Sequence, residues 1–183
     1  QKLNKLNVGS HKAVPINFSE CDVNFVELNP FSKGDKCLMK KIPFIWGKTQ
    51  KEAQFISDSF EFASDLSYED INTRFFGLTA QEEDFQQLKP SKLLGLIQIS
   101  KPDNVINIDT MQVNPFYFFD NPYSCYINVG KTMLKSLINL FKDTKMTVLS
   151  PQKLTEYFAQ LGFKQIGVLN NGSVVNMELS KLK

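Results

Sequence analysis

Several residue types that do specialised chemistry are scarce in this chain of 183 residues: one histidine, His11, one arginine, Arg74, one tryptophan, and three widely spaced cysteines, Cys21, Cys37 and Cys125. Each scarcity excludes something. A structural zinc site needs three or four nitrogen or sulfur ligands at close spacing, and one histidine with no Cys-x-x-Cys pair does not supply them, so no metal is expected. Three dispersed cysteines make no disulfide framework, which points to a reducing cytoplasm. A single arginine leaves almost no guanidinium forks for phosphates or base edges. Charge of one sign is lacking too: 21 basic against 19 acidic residues leave +2. That is too little and too evenly spread for a basic stripe, so nucleic acid is not an expected partner. No apolar run approaches the roughly 20 residues of a membrane span, and a membrane partner is not expected either.

What is present suits one globular core. Hydrophobic residues make up 42% and charged residues 22%, the balance of a chain that folds. No repeat and no Pro/Gly-rich linker divides it, so residues 1–183 read as a single domain with an irregular, polar first twenty. Val23 to Leu28 reads as a short strand, and Asn29 to Gly34 as a turn. Thr49-Gln-Lys-Glu52 has capping-box spacing ahead of Ala53, Ile56, Phe60 and Ala63, which predicts a helix over 50–65. A further helical turn follows Ser67, with Asp70 and Ile71. Arg74 to Thr79 and Leu93 to Ser100 are extended and form an antiparallel pair across a turn containing Glu82, Glu83 and Asp84; Val105 to Val113 is a third strand. Val129 to Lys142 puts Met133, Leu134, Leu137, Ile138 and Phe141 on one helix face. Met146 to Leu149 is a short buried strand. Ser150-Pro151 then offers an N-cap and first-turn proline to a helix closed by Gly162, and Lys164 to Leu169 and Val174 to Leu179 flank the hairpin turn Asn171-Gly172. This order predicts an α/β sandwich around a mixed sheet.

Four local patterns between Lys92 and Leu179 carry a family resemblance: the Gly-containing strand Leu93-Leu-Gly95-Leu-Ile97, the strand end Val113-Asn-Pro115, the glycine turn Val129-Gly130-Lys131-Thr132-Met-Leu134, and Tyr157-Phe158-Ala-Gln-Leu-Gly162-Phe163. In that order they resemble the GNAT N-acetyltransferase superfamily. The resemblance implies a GNAT-like acyl-CoA N-acyltransferase fold, α/β with a mixed, mostly antiparallel sheet flanked by helices, and acetyl-CoA as co-substrate. Two features depart from the family pattern: Ile127 and Thr132 replace its usual residues around the first glycine, and the link from Pro115 to Tyr126 is unusually aromatic. Those rings serve an acceptor pocket, a subunit contact compatible with a homodimer, or simple local packing.

The glycine turn has physics of its own. A helix amino terminus exposes unpaired amides and the positive end of its dipole, and a residue without Cβ lets a pyrophosphate approach. That makes Asn128, Val129, Gly130, Lys131 and Thr132 candidate cofactor-binding residues, with Met111, Gln112 and Val113 at the neighbouring strand end. The resemblance further implies direct acyl transfer to an amine, with backbone amides at Gln112 and Val113 facing the thioester carbonyl. Asp109 is the first candidate base, against the plainer reading of a solvated aspartate. Where many relatives carry a tyrosine to protonate the departing thiolate, this chain has Phe158. Helical geometry turns Tyr157 about 100° away from it, which leaves Tyr123 or Tyr126 as donors, or none. Three readings follow: an acetyltransferase acting on an amine of a small molecule, peptide or protein; a catalytically silent GNAT-like domain that binds acyl-CoA or a protein; and a structural interaction module using the aromatic segment.

Overall fold

A computed structural model describes residues 2–6, 18–47, 50–67, 72–101, 104–117 and 128–180. The chain opens with a feature its sequence does not announce: β1 (Lys2–Leu6) and β2 (Phe18–Asp22) pair antiparallel as a separate two-stranded sheet. The main sheet has seven strands. These are β3 (Asn24–Leu28), β4 (Thr73–Thr79), β5 (Leu93–Ser100), β6 (Val105–Val113), β7 (Lys145–Pro151), β8 (Lys164–Leu169) and β9 (Val174–Leu179), in the order β3-β4-β5-β6-β7-β9-β8. Every neighbouring pair is antiparallel except β6 and β7, which run parallel.

Helices cover both faces. On one side α1 (Lys33–Trp46) and α2 (Lys51–Ser64) bury Leu38, Met39, Ile42, Ile56 and Phe60 against Phe75, Leu93 and Leu96. On the other, α3 (Val129–Leu140) and the short α4 (Thr155–Ala159) bury Met133, Leu134, Leu137 and Phe158 against Phe76, Ile97, Ile106 and Val148. Alternation along β5 feeds both cores, with Leu96 to the α1–α2 side and Ile97 to the α3 side.

Helix α1 is absent from the sequence reading, which ends a turn at Gly34 and meets Pro43 a few residues on. The structure accommodates both. Ser32 caps the helix by accepting from the Asp35 amide at 3.4 Å, while Gly34 passes so close to the next loop that a Cβ there would lie 2.4 Å from the Gln86 carbonyl oxygen. Pro43 has no N–H for the Met39 carbonyl four residues back. The Ser57 hydroxyl of α2 donates to that carbonyl instead, at 3.0 Å, so a bond from the neighbouring helix takes the place of the one that proline removes.

Two further expectations shift. The helix expected to start at Ser150-Pro151 begins later, because β7 runs on to Pro151 and a 3-10 turn over Gln152–Leu154 precedes α4. The Ser150 hydroxyl donates to the Pro151 carbonyl rather than capping a helix. The terminal hairpin turns as expected, with Asn170, Asn171 and Gly172 all at positive φ. Thr49 of the capping box, and Asp70 and Ile71 of the extra turn, lie outside the described residues.

Candidate active site

The parallel pair β6–β7 is where the sheet opens. Its register runs only from Val105 opposite Lys145 to Ile108 opposite Val148. Thr147 closes the paired stretch by donating its hydroxyl to the Asn107 side-chain oxygen. Beyond that point β6 stays with β5 as far as Val113, whereas Leu149 to Pro151 stay with β9. The two strands therefore part over residues 109–113, and the side of β6 that faces the gap has no strand partner there among the described residues. Asn114 holds the end of β6 against β5, its amide donating to the Leu94 carbonyl at 2.8 Å and its side chain to the Leu93 carbonyl at 3.0 Å.

A bulge lies at the start of the gap. Ile108 faces Ile99 and Thr110 faces Gln98, so Asp109 is the extra residue on β6. Extra and outward, it does not simply share a face with Asn107. Its carboxylate accepts from the Ser100 hydroxyl at 2.8 Å and from the Gln98 side chain. Crowding by the surrounding protein raises its pKa above the usual 3.8, an effect that the bonds from Ser100 and Gln98 only partly offset.

The amino terminus of α3 meets the far end of the gap. Asn128 precedes it in the left-handed conformation, φ 57°, and offers no side-chain cap. The Thr132 amide closes the first helical bond onto the Asn128 carbonyl at 2.9 Å, so the amides without an intrahelical acceptor are those of Val129, Gly130 and Lys131. Thr132 contributes to the helix rather than to a cradle. Gly130 packs directly on β6: a Cβ there would meet Val113 Cγ2 at 3.4 Å and Met111 Cε at 3.9 Å. Val129 is buried, and Lys131 is half-buried at the opening. Gln112 is also buried, with its side chain folded onto the Val113 carbonyl at 2.7 Å. Met111 and Val113 of β6 thus meet Gly130, with Gln112 between them on the strand and Val129 and Lys131 flanking the glycine on α3. Tyr123, with Tyr126, lies outside the described residues.

Tyr157 is the main departure. Helix geometry set it aside as the thiolate's donor, leaving Tyr123, Tyr126 or none; in the structure Phe158 points into the core, 5.5 Å from the Phe163 ring. With Phe158 turned into the core, Tyr157, about 100° round the helix, faces the gap. Its hydroxyl lies 3.2 Å from where a Gly130 Cβ would be. Burial pushes its pKa up to about 12, so it keeps its proton throughout the neutral range.

Gln98 was missed altogether. It is 6% exposed, its side chain donates to Asp109, and its amide oxygen has no partner among the described residues. The signal was present in the sequence as one long polar side chain inside the otherwise apolar run Leu93 to Ile99.

No protein-family model matches the sequence, and no functionally curated protein is similar to it. Solved structures are similar. A protein of the GNAT family from Desulfovibrio desulfuricans aligns over 87% of this chain and 99% of its own, with TM-score 0.57 and 13% identity. The PaiA N-acetyltransferase of Thermoplasma acidophilum, solved with coenzyme A, covers 88% and 99% with TM-score 0.52 and 15% identity. The ribosomal-protein-S18-alanine N-acetyltransferase of Escherichia coli covers 88% and 97% with TM-score 0.53 and 14% identity. The chain has the GNAT acyl-CoA N-acyltransferase fold. Among the described residues no helix is long and apolar enough to cross a membrane.

Proposed function

We propose that this protein transfers an acetyl group from acetyl-coenzyme A directly to an amine. The observation that carries the reading is the meeting, at one strand gap, of three helix amides without an intrahelical acceptor, a glycine where a Cβ would crowd its neighbours and a half-buried, protonated tyrosine hydroxyl. The residues fit the cofactor. Amides of Val129, Gly130 and Lys131 suit a pyrophosphate, with the Lys131 ammonium alongside. The unpartnered edge of β6 suits an extended amide chain, since it offers backbone donors and acceptors at strand spacing. When bound, acetyl-coenzyme A supplies an activated thioester.

The protein's own groups then have separate tasks. The backbone amides of Gln112 and Val113 point to opposite edges of β6, so one joins the ladder with β5 and the other, facing the gap, is the donor for a developing oxyanion, a role worth roughly 3 kcal/mol when aligned. Asp109 takes the proton that the attacking amine must lose. Its raised pKa makes it a stronger base than an exposed aspartate. Tyr157 holds a proton for the departing thiolate, the role that position 158 cannot fill.

Tyr157 also bears on the silent alternative. Phe158 and the changed residues Ile127 and Thr132 around Gly130 lean toward an inactive domain, whereas a hydroxyl at position 157, beside Gly130, supports the active reading.

Calorimetric titration with coenzyme A, followed by thiol release from acetyl-coenzyme A with a panel of amines, tests the proposal. Binding with amine-dependent release is the expected result. Binding without release from any amine favours the silent domain, and no binding at millimolar coenzyme A removes both in favour of an interaction module.

A further inference from the structure

Helices α1 and α2 form an antiparallel hairpin whose inner side is buried on the sheet. The outer side carries one row of residues from each helix, at helical spacing. On α1 the row is Lys33, Cys37, Lys40 and Phe44; on α2 it is Phe55, Asp58, Phe62 and Asp65, and all are exposed. Phe44 is 78%, Phe55 53% and Phe62 67% exposed. One exposed apolar residue is ordinary, but three phenyl rings on the outer face of one helix pair make a patch.

The two rows carry opposite charge, lysines on α1 and aspartates on α2. Two of these charges stand at the unfavourable end of their helix. Lys33 lies in the first turn of α1, at the positive end of its dipole, and Asp65 follows the last turn of α2, at the negative end. An opposite charge laid over each relieves both. Asp58 accepts from the neutral Gln54 side chain at 2.7 Å, which leaves the carboxylate uncompensated. Lys40 reaches Glu61 of its own hairpin at 3.7 Å, a weak contact between exposed groups.

Heights along the hairpin follow from two bonds. At the turn the Gln50 amide donates to the Gly47 carbonyl at 3.1 Å, and farther down the Ser57 hydroxyl donates to the Met39 carbonyl at 3.0 Å. Counted from these, Lys33 is level with Asp65, Cys37 with Phe62, Lys40 with Asp58 and Phe44 with Phe55, each within about one helical turn. A two-fold axis parallel to the helices and lying in the interface carries α1 of one copy over α2 of the other and leaves those heights unchanged. Cation then meets carboxylate at two levels and ring meets ring at a third. At the fourth, the small Cys37 leaves room for the Phe62 ring.

We propose that a second copy of this chain docks on the outer face of α1 and α2, giving a two-fold dimer with each α1 laid along the partner's α2. The proposal does not depend on acyl transfer. Helices of 14 residues are about 21 Å long, a footprint at the low end for specific contacts, so the dimer should dissociate with a Kd on the order of 10 µM.

Sedimentation velocity of the full chain, from micromolar to near-millimolar concentration, tests this, and a reversible monomer–dimer equilibrium is expected. Phe44→Glu, at a ring too exposed to support the fold, should weaken the dimer at least about tenfold with thermal unfolding unchanged. Lys33→Asp and Asp65→Lys each place a charge at the favourable end of a helix, so both proteins should stay folded. Each alone should self-associate at least about threefold more weakly, and the two mixed should associate as tightly as the unaltered protein, because every like-charge contact becomes an opposite-charge one. A monomer throughout, a dimer indifferent to Phe44→Glu, or charge variants that do not recover on mixing would overturn the proposal. So would a monomer that sediments with anionic lipid vesicles unless Phe44 is replaced, which would give this face to a membrane surface.

Discussion

Asp109 owes its position to the backbone. On a regular strand it would alternate strictly with its neighbours, but the bulge opposite Gln98 and Ile99 takes it out of that alternation and into reach of Ser100 and Gln98. A raised pKa makes the pH dependence explicit: the carboxylate is protonated and useless as a base at low pH, and activity should rise as pH climbs through a value above the ordinary 3.8. Asp109→Asn should abolish that acidic limb of kcat/KM and lower the plateau by about 10²-fold or more. An unchanged profile would return Asp109 to the status of a solvated surface acid. Tyr157→Phe removes one hydroxyl from a half-buried ring, so the fold should hold. Here kcat should fall about 10²-fold with coenzyme A affinity little changed, and an unaltered kcat would show that thiolate leaves without this donor. Of these two residues, only the aspartate was legible beforehand. Tyr157 depended on which face of α4 meets the core: Phe158 fills it, and the neighbour about 100° round the helix comes to lie beside Gly130.

At the level of elements, the site is a junction between the end of β6 and the start of α3. Gly130 is the contact that lets them touch: an added Cβ would meet Val113 and the Tyr157 hydroxyl at 3.4 and 3.2 Å. Gly130→Val adds branched bulk at that seam, so we expect coenzyme A affinity to drop at least about tenfold and stability to fall by about 1–3 kcal/mol, measured by calorimetry and urea unfolding. Wild-type affinity in a folded Gly130→Val protein would place the cofactor elsewhere. Strong amphipathic periodicity made α3 readable, and flanking turn residues did the same for β5, β6, β8 and β9. Helix α1 was hidden because its support is tertiary. Nothing in the local sequence indicates that the carbonyl orphaned by Pro43 will be met by Ser57 from another helix.

The whole molecule is two cores sharing one sheet, and the site lies where that sheet splits. Phe60 shows how the α1–α2 side is held: it is fully buried on α2 with its ring 4.9 Å from Phe75 of β4. Phe60→Ala should cost about 3–5 kcal/mol and lower Tm by on the order of 10 °C, read by thermal unfolding. A loss under about 1 kcal/mol would mean that α2 is not anchored as described.

From sequence alone, periodicity and turn chemistry determined β3 to β6, β8, β9, α2 and α3, but not β1, β2 or α1. They also determined that a helix opens at Val129-Gly130, a short-range property of backbone and side chain, whereas the strand-ending role of Val113-Asn-Pro115 came from the family resemblance. Tertiary structure decided where β6 leaves β7, which of two adjacent aromatic residues faces the gap, and that Gln98 is buried beside Asp109 with an oxygen to spare. Those outcomes depend on the register between strands and on which faces meet across the sheet, and both are settled only when the two cores close together.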